Sequence, residues 1–499
     1  MNASSARALG TLAPDPEAAW RLRHALLSSG YEADRLAQPL RLRSLAGSAR
    51  SAVDWREIAG SDEPLTGLVE LFIFGRAIDV ARAEASLSPL SIHDAVRAGF
   101  VQSDGDSIAS PWEVLVHDGL LLLGDRPDRL TQGNVDFVGT VSNSARTLAY
   151  QTSRAPVEAT LDLGTGSGVQ ALLAARHSRR VLGVDLNARA ATIATVNGFV
   201  NELLNTEYRV GDWFEAVDPA RRFDLVVANL PFVAAPQVVY RFAHGGLDPN
   251  DLSRQIVRGA AMRLADGGMA QILTSWTRRI EDDRIAAVRD FVAGTGCDAI
   301  VLAHGAEEAA VYAAEQCGWL APRDPARYGE LLRRWLRYYR DAGVEAIETG
   351  LISLRRSSGG ASWLHGIQSP GMPTAQLGDH VARLFAGNDE IESLGDAEEL
   401  LTGHFSLIAG HRVTQASRRH PDGYHQEATT IELTPDVGYQ ASVSGYAAAV
   451  VLSMSAAETL GQTVERVADE TGMEEPTLRA EAIGAVKDLL QLGMATRLH

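Results

Sequence analysis

Cysteine is nearly absent from this 499-residue chain: Cys297 and Cys317 are the two, and neither lies in a C-x-x-C pair or at metal-ligand spacing. A disulfide framework and a structural zinc site are therefore excluded, and both residues are expected as buried free thiols. No apolar run approaches the length of a membrane-crossing helix. The N-terminal stretch, MNASSARALGTLAPDPEAAW, lacks the basic start and unbroken apolar segment of a signal peptide. A cytoplasmic protein with no membrane association is expected. Long Lys/Arg runs are missing too. With 46 basic against 63 acidic residues the formal net charge is −17, whereas gripping a phosphate backbone takes clustered cations that release counterions. That balance disfavours nucleic acid and leaves proteins, peptides and cationic metabolites as easier partners. No repeat of fixed period appears. His404, His411, His420 and His425 fall on expected strands and a turn without a matched cysteine or carboxylate set, so they read as solvated or structural, and no metal is expected.

What is present is the composition of a globular protein, 45% hydrophobic and 22% charged, in a chain long enough for two to four domains. Four motifs between 161 and 232 organise it: LDLGTGSG (161–168), VLGVDL (181–186), GDWF (211–214) and VVANLPF (226–232). The first joins an apolar segment beginning at Ala159 to VQALLAARH, an apolar run of helical spacing, which puts its glycines at a strand-to-helix turn. Glycines there let a ligand approach the backbone without a Cβ in the way, and the N–H groups of the following helix attract a carboxylate or phosphate. The spacing of Gly164, Gly166 and Gly168 is G-x-G-x-G, and the third glycine of a dinucleotide fingerprint would fall where Val169 stands. A nicotinamide or flavin site is disfavoured. Asp185 ends the next apolar strand, where a carboxylate can accept both hydroxyls of a ribose. Asp212 follows a further expected strand near 207–210, with Trp213 beside it as a flat surface for a base.

With these residues in place, the segment from about 134 to 356 resembles a class I S-adenosylmethionine-dependent methyltransferase domain. DLGTGSG stands as its first motif and Asp185 as its ribose-binding acid. Asn229-Leu230-Pro231-Phe232 resembles the [N/D]-P-P-[Y/F] motif of members that methylate amino and amide nitrogens. HGGLDPNDLSRQIVRGAAMRLADGGMAQIL, from His244, is similar to a segment of release-factor glutamine methyltransferases. The resemblance implies S-adenosylmethionine as cofactor, held by Asp162, Gly164, Thr165, Gly166, Gly168, Asp185, Leu186, Asp212, Trp213 and Asn229. It implies Asn229, Leu230, Pro231 and Phe232 as the catalytic set. The fold it implies is α/β, a Rossmann-like seven-stranded methyltransferase sheet whose last strand, IETGLISLRR from Ile347, runs antiparallel.

The flanks lie outside that resemblance. Residues 1–132 read as a helical or winged-helix-like N-terminal domain that covers the substrate or forms a homodimer contact; in it EAAWRLRHALLSSG is a helix stopped at Gly30 and LTGLVELFIFGRAIDVARAEASL a further helical stretch. The catalytic domain is expected over 133–356. A helix over 328–343 precedes its last strand, and Trp335, Tyr338 and Tyr339 at helical spacing read as core rather than cleft. A composition change in RRSSGGASW opens an α+β C-terminal domain, 357–499, with a hairpin about Pro421-Asp422-Gly423 and a closing helical or winged-helix-like module in which Thr463 and Pro476 lie near helix starts.

Three activities fit this reading. The first is N-methylation of a planar nitrogen (amide, guanidino or ring) in a protein side chain, peptide or small metabolite. The second is methylation of an RNA or DNA base, because Leu230 stands where glutamine methyltransferases carry proline and N-[L/I]-P-[F/Y] also resembles ribosomal-RNA adenine dimethylases. The third is S-adenosylmethionine binding without turnover. The acidic balance favours the first.

Overall fold

The computed structural model describes residues 10–37, 64–129, 136–229, 248–321, 324–357, 362–369, 371, 373, 376–394, 396–421, 423–433 and 439–498. Leu230, Pro231, Phe232 and the segment 244–247 lie outside the described residues.

The N-terminal part begins with α1 (Pro16–Ser28), capped by the Asp15 carboxylate, which accepts from the Glu17 and Ala18 N–H groups. Its end is set by Gly30 at φ +71. The next stretch is not the continuous helix its composition suggests. α2 (Pro64–Val69) runs into a π-turn over Glu70–Phe74 that Gly75 closes at φ +67, and a short strand, β1 (Ile78–Asp79), separates it from α3 (Val80–Leu87) and α4 (Ile92–Arg97). β2 (Gln102–Ser103) and β3 (Ser107–Ala109) follow, and the three strands lie in the order β1-β3-β2. Helix, strand, two helices and a hairpin whose second strand pairs with the first is the order of a winged helix, with Asp104-Gly105-Asp106 at the tip of the wing.

A second hairpin, β4 (Trp112–His117) and β5 (Leu120–Asp125), turns through Asp118 and Gly119 at φ +49 and +70. Two consecutive left-handed residues make the turn whose twist matches that of the strands. This hairpin does not end a separate domain. One apolar cluster holds Leu22, Leu26, Phe72 and Trp112 together with Ile193, Val196 and Val200 of α7 (Ala188–Val200).

The central sheet has the order β13-β11-β12-β10-β9-β6-β7-β8. Its strands are β6 (Val157–Leu163), β7 (Ser178–Asp185), β8 (Thr206–Val210), β9 (Phe223–Asn229), β10 (Leu264–Arg279), β11 (Cys297–Glu308), β12 (Val344–Arg356) and β13 (Leu364–Gln368). β6 pairs in parallel with β7 and with β9, while β12 is antiparallel to both neighbours, Ile352 lying opposite Ile272 on one side and Val301 on the other. This is the expected α/β sheet of seven strands with its antiparallel member, begun three residues earlier than Ile347. β13 adds an eighth strand, parallel to β11, so the sheet continues past 357. The helices α5 (Asn143–Gln151), α6 (Val169–Ala175) and α7 place their N-terminal ends at the carboxyl edge of the sheet, and in open α/β sheets ligands bind along that edge. Trp335 and Tyr339 of the helix Pro325–Asp341 are buried against Tyr312 and Ile347, as core.

In the C-terminal part the expected strand HFSLIAGHRVTQASRR divides in two: β14 (His404–Leu407) pairs with the chain's last strand, β18 (Ala495–Leu498), and β15 (His411–His420) forms the hairpin with β16 (Gly423–Leu433), to which β17 (Gln440–Val443) adds. Helices Gly445–Ser453, Leu460–Thr471 and Glu475–Gln491 close the chain, the second with a Thr459/Gln462 capping box. Cys297 and Cys317 are free and buried. Among the described residues no helix is long and apolar enough to cross a membrane, and no group of three His, Cys, Asp or Glu is placed to hold a metal.

Candidate active site

Asp162, the last acidic residue of β6, is buried and serves the glycine loop from within. Its Oδ2 accepts from the Thr165 hydroxyl at 2.6 Å and from the Ala171 N–H at 3.0 Å. Burial, reinforced by the nearby Asp185 charge and opposed by those two bonds, pushes its carboxyl up to about 7. Gly164, Gly166 and Gly168 all have positive φ. At Gly168 a side chain would also lack room, since a Cβ there would lie 3.0 Å from that of Ala194 and 3.2 Å from the Tyr208 hydroxyl. The Gly166 N–H donates to Asp185 Oδ2 at 2.9 Å, and Asn187 N–H to Oδ1 at 2.9 Å. The ribose-type acid and the glycine loop are therefore one hydrogen-bonded unit. Burial raises Asp185 while the two amides oppose it, and each carboxylate oxygen keeps a second lone pair for a ligand hydroxyl.

The third element hangs from the same strand end. Gly211 N–H donates to the Asp185 carbonyl at 3.0 Å, which sets Asp212 and Trp213 beside the end of β7. Asp212 makes no side-chain hydrogen bond among the described residues. Trp213 holds the left-handed φ +35, a strained conformation for a large side chain, and its ring packs on the core cluster that includes Val217 and Phe223. Leu186 follows Asp185, half-buried.

Asn229 ends β9, opposite Leu273 of β10. Its Nδ2 donates to Ser144 Oγ on α5 at 3.2 Å, while Oδ1 is buried and has no partner among the described residues. A cleft of about 520 Å³ brings Asn229 together with Gly164, Thr165 and Gly166. Across it stand Thr140, Ser142 and Arg146, and β4 of the N-terminal hairpin supplies Glu113 and Leu115. Glu113 is buried, its Oε2 accepting from Thr140 Oγ1 at 3.0 Å. Asp185, Leu186, Asp212 and Trp213 do not line this cleft; Asp185 is tied to the glycine loop by the Gly166 N–H and to the Asp212–Trp213 segment by the Gly211 N–H. Ser144, Thr140 and Glu113 belong to no motif in the sequence. The one signal for Glu113 is a charge within the otherwise apolar strand WEVLVH.

Residues 132–283 match the Methyltransferase small domain family, and residues 28–111 match a domain of unknown function, DUF7059. The release factor glutamine methyltransferase of Aliivibrio fischeri is 40% identical over 75 residues, 15% of this chain and 26% of that protein. That of Xylella fastidiosa is 35% identical over 151 residues, 28% of this chain and 52% of its own length. The chain thus spans about half, or less, of these curated relatives. Among solved structures, a putative methyltransferase from Bacillus halodurans aligns over 44% of this chain and all of its own at 16% identity, with a TM-score of 0.29. Together with the strand order and the glycine loop, the sequence matches identify residues 132–283 as a class I S-adenosylmethionine-dependent methyltransferase domain related to the release factor glutamine methyltransferases.

Proposed function

We propose that this protein transfers a methyl group to a planar nitrogen of a protein side chain, peptide or small metabolite, with Asn229 orienting that nitrogen. The observation that carries the reading is the Asn229 amide: one end is tied to Ser144, and the other is a buried acceptor without a partner among the described residues, beside the glycine loop. Burying such an acceptor costs free energy unless a ligand supplies the hydrogen.

The residues fit S-adenosylmethionine as donor. Gly164, Thr165, Gly166 and Gly168 form a loop with backbone N–H groups and no obstructing Cβ, Asp185 and Asp212 offer acceptors for hydroxyls, and Trp213 and Leu186 offer apolar surface. Asp162 acts on the cofactor through the loop it holds. S-adenosylmethionine brings a methyl group already activated on a sulfonium, so the chain's task is alignment and exclusion of water. Asn229 Oδ1 accepts one N–H of the acceptor nitrogen; the catalytic roles that the motif implies for Leu230, Pro231 and Phe232 fall on residues outside those described. Leu115 and Glu113 of β4 wall the cleft from the N-terminal side.

Methylation of a nucleic-acid base is the second reading, favoured by the winged-helix strand order. Against it, the wing tip is Asp104-Gly105-Asp106, whose carboxylates repel phosphates, and the chain's net charge is −17. The deciding experiment is transfer of labelled methyl into a cell extract resolved into protein, RNA and small-molecule fractions. Label in protein or small molecules supports the proposal; label in RNA as methyladenine replaces it with the second reading. Cofactor binding with no label in any fraction would leave a binding protein without turnover.

A further inference from the structure

The opposite ends of α5 and α6 carry a second cleft, of about 300 Å³, whose polar lining is His117, Asp118, Arg154, Arg176 and His177. We propose that it binds a small phosphomonoester, with the phosphate between Arg154 and Arg176 and the carbon portion against Ala149, Leu173 and Tyr150 of the same lining. The site stands apart from the methyl-transfer cleft and does not rest on the reading given to it.

Charge and donor count both point to an anion. Arg154 donates from Nη2 to the Ala149 carbonyl at 3.1 Å, and Arg176 from Nη1 to the Asp118 carbonyl at 2.6 Å. Capping the end of α5 accounts for the first bond and bracing the β4–β5 turn for the second, yet a guanidinium has five N–H donors, and most of each remain. The acidic partner of both is Asp118, 3.7 Å from each and more than half exposed, so two cations share one screened carboxylate. Burial lowers the Arg154 pKa despite Asp118, the mark of a cation short of compensation.

The two imidazoles define the anion further. His117 is 7% exposed, and its Nε2 is buried without a partner among the described residues. His177 faces the Ala155 carbonyl through Nδ1 at 3.0 Å; a carbonyl only accepts, so Nδ1 carries the proton and the neutral ring presents a lone pair at Nε2, again buried and unpartnered. Burial holds both rings below their ordinary pKa. The His177 lone pair beside two guanidinium groups suits an oxyanion that still carries one hydroxyl, and a phosphate, with its second pKa at about 6, does so in part at neutral pH; His117 can take the tautomer that donates from Nε2 to another phosphate oxygen. A metal would have to sit beside both arginines. The volume exceeds what one phosphate fills, and the apolar lining takes the remainder. The site also draws on Gln376, just before the helix Gly378–Ser393, so the N-terminal hairpin, the catalytic sheet and the C-terminal part meet there.

The test is calorimetric titration of the full chain with glycerol 3-phosphate and with inorganic phosphate at constant ionic strength. Saturable binding is expected, tighter for glycerol 3-phosphate, and at least tenfold weaker in an Arg154→Gln/Arg176→Gln variant than in an Arg179→Gln control. In the unaltered chain, NMR ring resonances of His117 and His177 should move with saturation while that of exposed-helix His24 stays. Absence of saturation, equal movement of all three rings, or inorganic phosphate binding as tightly as the ester would overturn the assignment.

Discussion

Asn197 on α7 substitutes for a neighbouring strand beside Leu123 of β5: its Oδ1 accepts the Leu123 N–H at 2.8 Å and its Nδ2 donates to the Leu123 carbonyl at 2.9 Å. The same Nδ2 also donates to the Ser167 carbonyl in the glycine loop at 2.8 Å. One turn on, Asn201 repeats the device at Leu121, accepting at 2.9 Å and donating at 2.7 Å. An edge that would otherwise be buried with open backbone groups is thus satisfied by two side chains of the catalytic domain. Arg189, on the same helix, donates to both oxygens of the fully buried Asp125 at 2.7 Å each and lies over Trp112. The N-terminal hairpin is therefore part of the cofactor domain's framework.

Asn197→Ala should accordingly act at two places. Leaving the Leu123 groups and the Ser167 carbonyl buried without partners is expected to cost about 2 to 4 kcal/mol of stability. Because Ser167 belongs to the glycine loop, cofactor affinity should fall as well. Denaturant unfolding and calorimetric titration of the same variant check both; a stability loss with untouched affinity would show that hairpin and loop are uncoupled.

Asp185 joins three elements of the site, through Gly166, Asn187 and the Gly211 backbone bond. Asp185→Ala is expected to weaken S-adenosylmethionine binding by about 1.5 to 3 kcal/mol, the range for charged hydrogen bonds lost from a buried site. Asp185→Asn keeps an acceptor and should lose less. Equal affinity in folded Asp185→Ala protein would remove this residue from the cofactor site.

Much of this was legible in the chain because the relevant signals are local. Alternating apolar strands, helical runs and the glycine triplet mark β6 through β12, and the loop needs left-handed backbone where the glycines stand. β13 was not legible: LHGIQ has a glycine and two polar residues, and it becomes a strand by lying along the edge of β11. The break at Gly75 was hidden for a similar reason, since the apolar residues on both sides keep helical spacing. Among site residues, Ser144 gives no signal because its role comes from α5 passing the end of β9, a contact 85 positions apart. Asp162 was legible as part of the motif, but which of its neighbours would consume its carboxylate was not.

That carboxylate gives a pH dependence. The Asp162 pKa is about 7 in the folded protein against 3.8 for an ordinary aspartate. Between those values the folded state binds the proton and the unfolded state does not, so the linkage slope is negative and stability falls as pH rises. Below about 4 both forms are protonated and above about 7 both are ionised, so the slope from this group ends there. Asp162→Asn keeps an oxygen for Thr165 and Ala171 without the ionisation. Its stability relative to the native protein should therefore rise between pH 4 and 7 and then level off, read from denaturant midpoints at several pH values. A relative gain confined to acid pH would reverse the sign and show a carboxylate stabilised by its charge.

Asn229 separates binding from turnover. Its Oδ1 is the proposed acceptor for the substrate nitrogen, whereas the proposed cofactor contacts are the loop from Gly164 to Gly168 and Asp185. Asn229→Ala should therefore lower the rate by about a hundredfold or more, the scale of a lost orienting contact, with cofactor affinity nearly unchanged. Ser144→Ala removes the bond that holds the amide in place but leaves the acceptor, so a smaller loss of about tenfold is expected. Because the amide is then free to turn, the loss should appear in kcat rather than in the Kd for S-adenosylmethionine. The two substitutions share one path, and their combination should be no slower than Asn229→Ala alone. A double variant slower by the product of both effects would assign Ser144 a separate contact with the acceptor and end its role as the residue that positions Asn229.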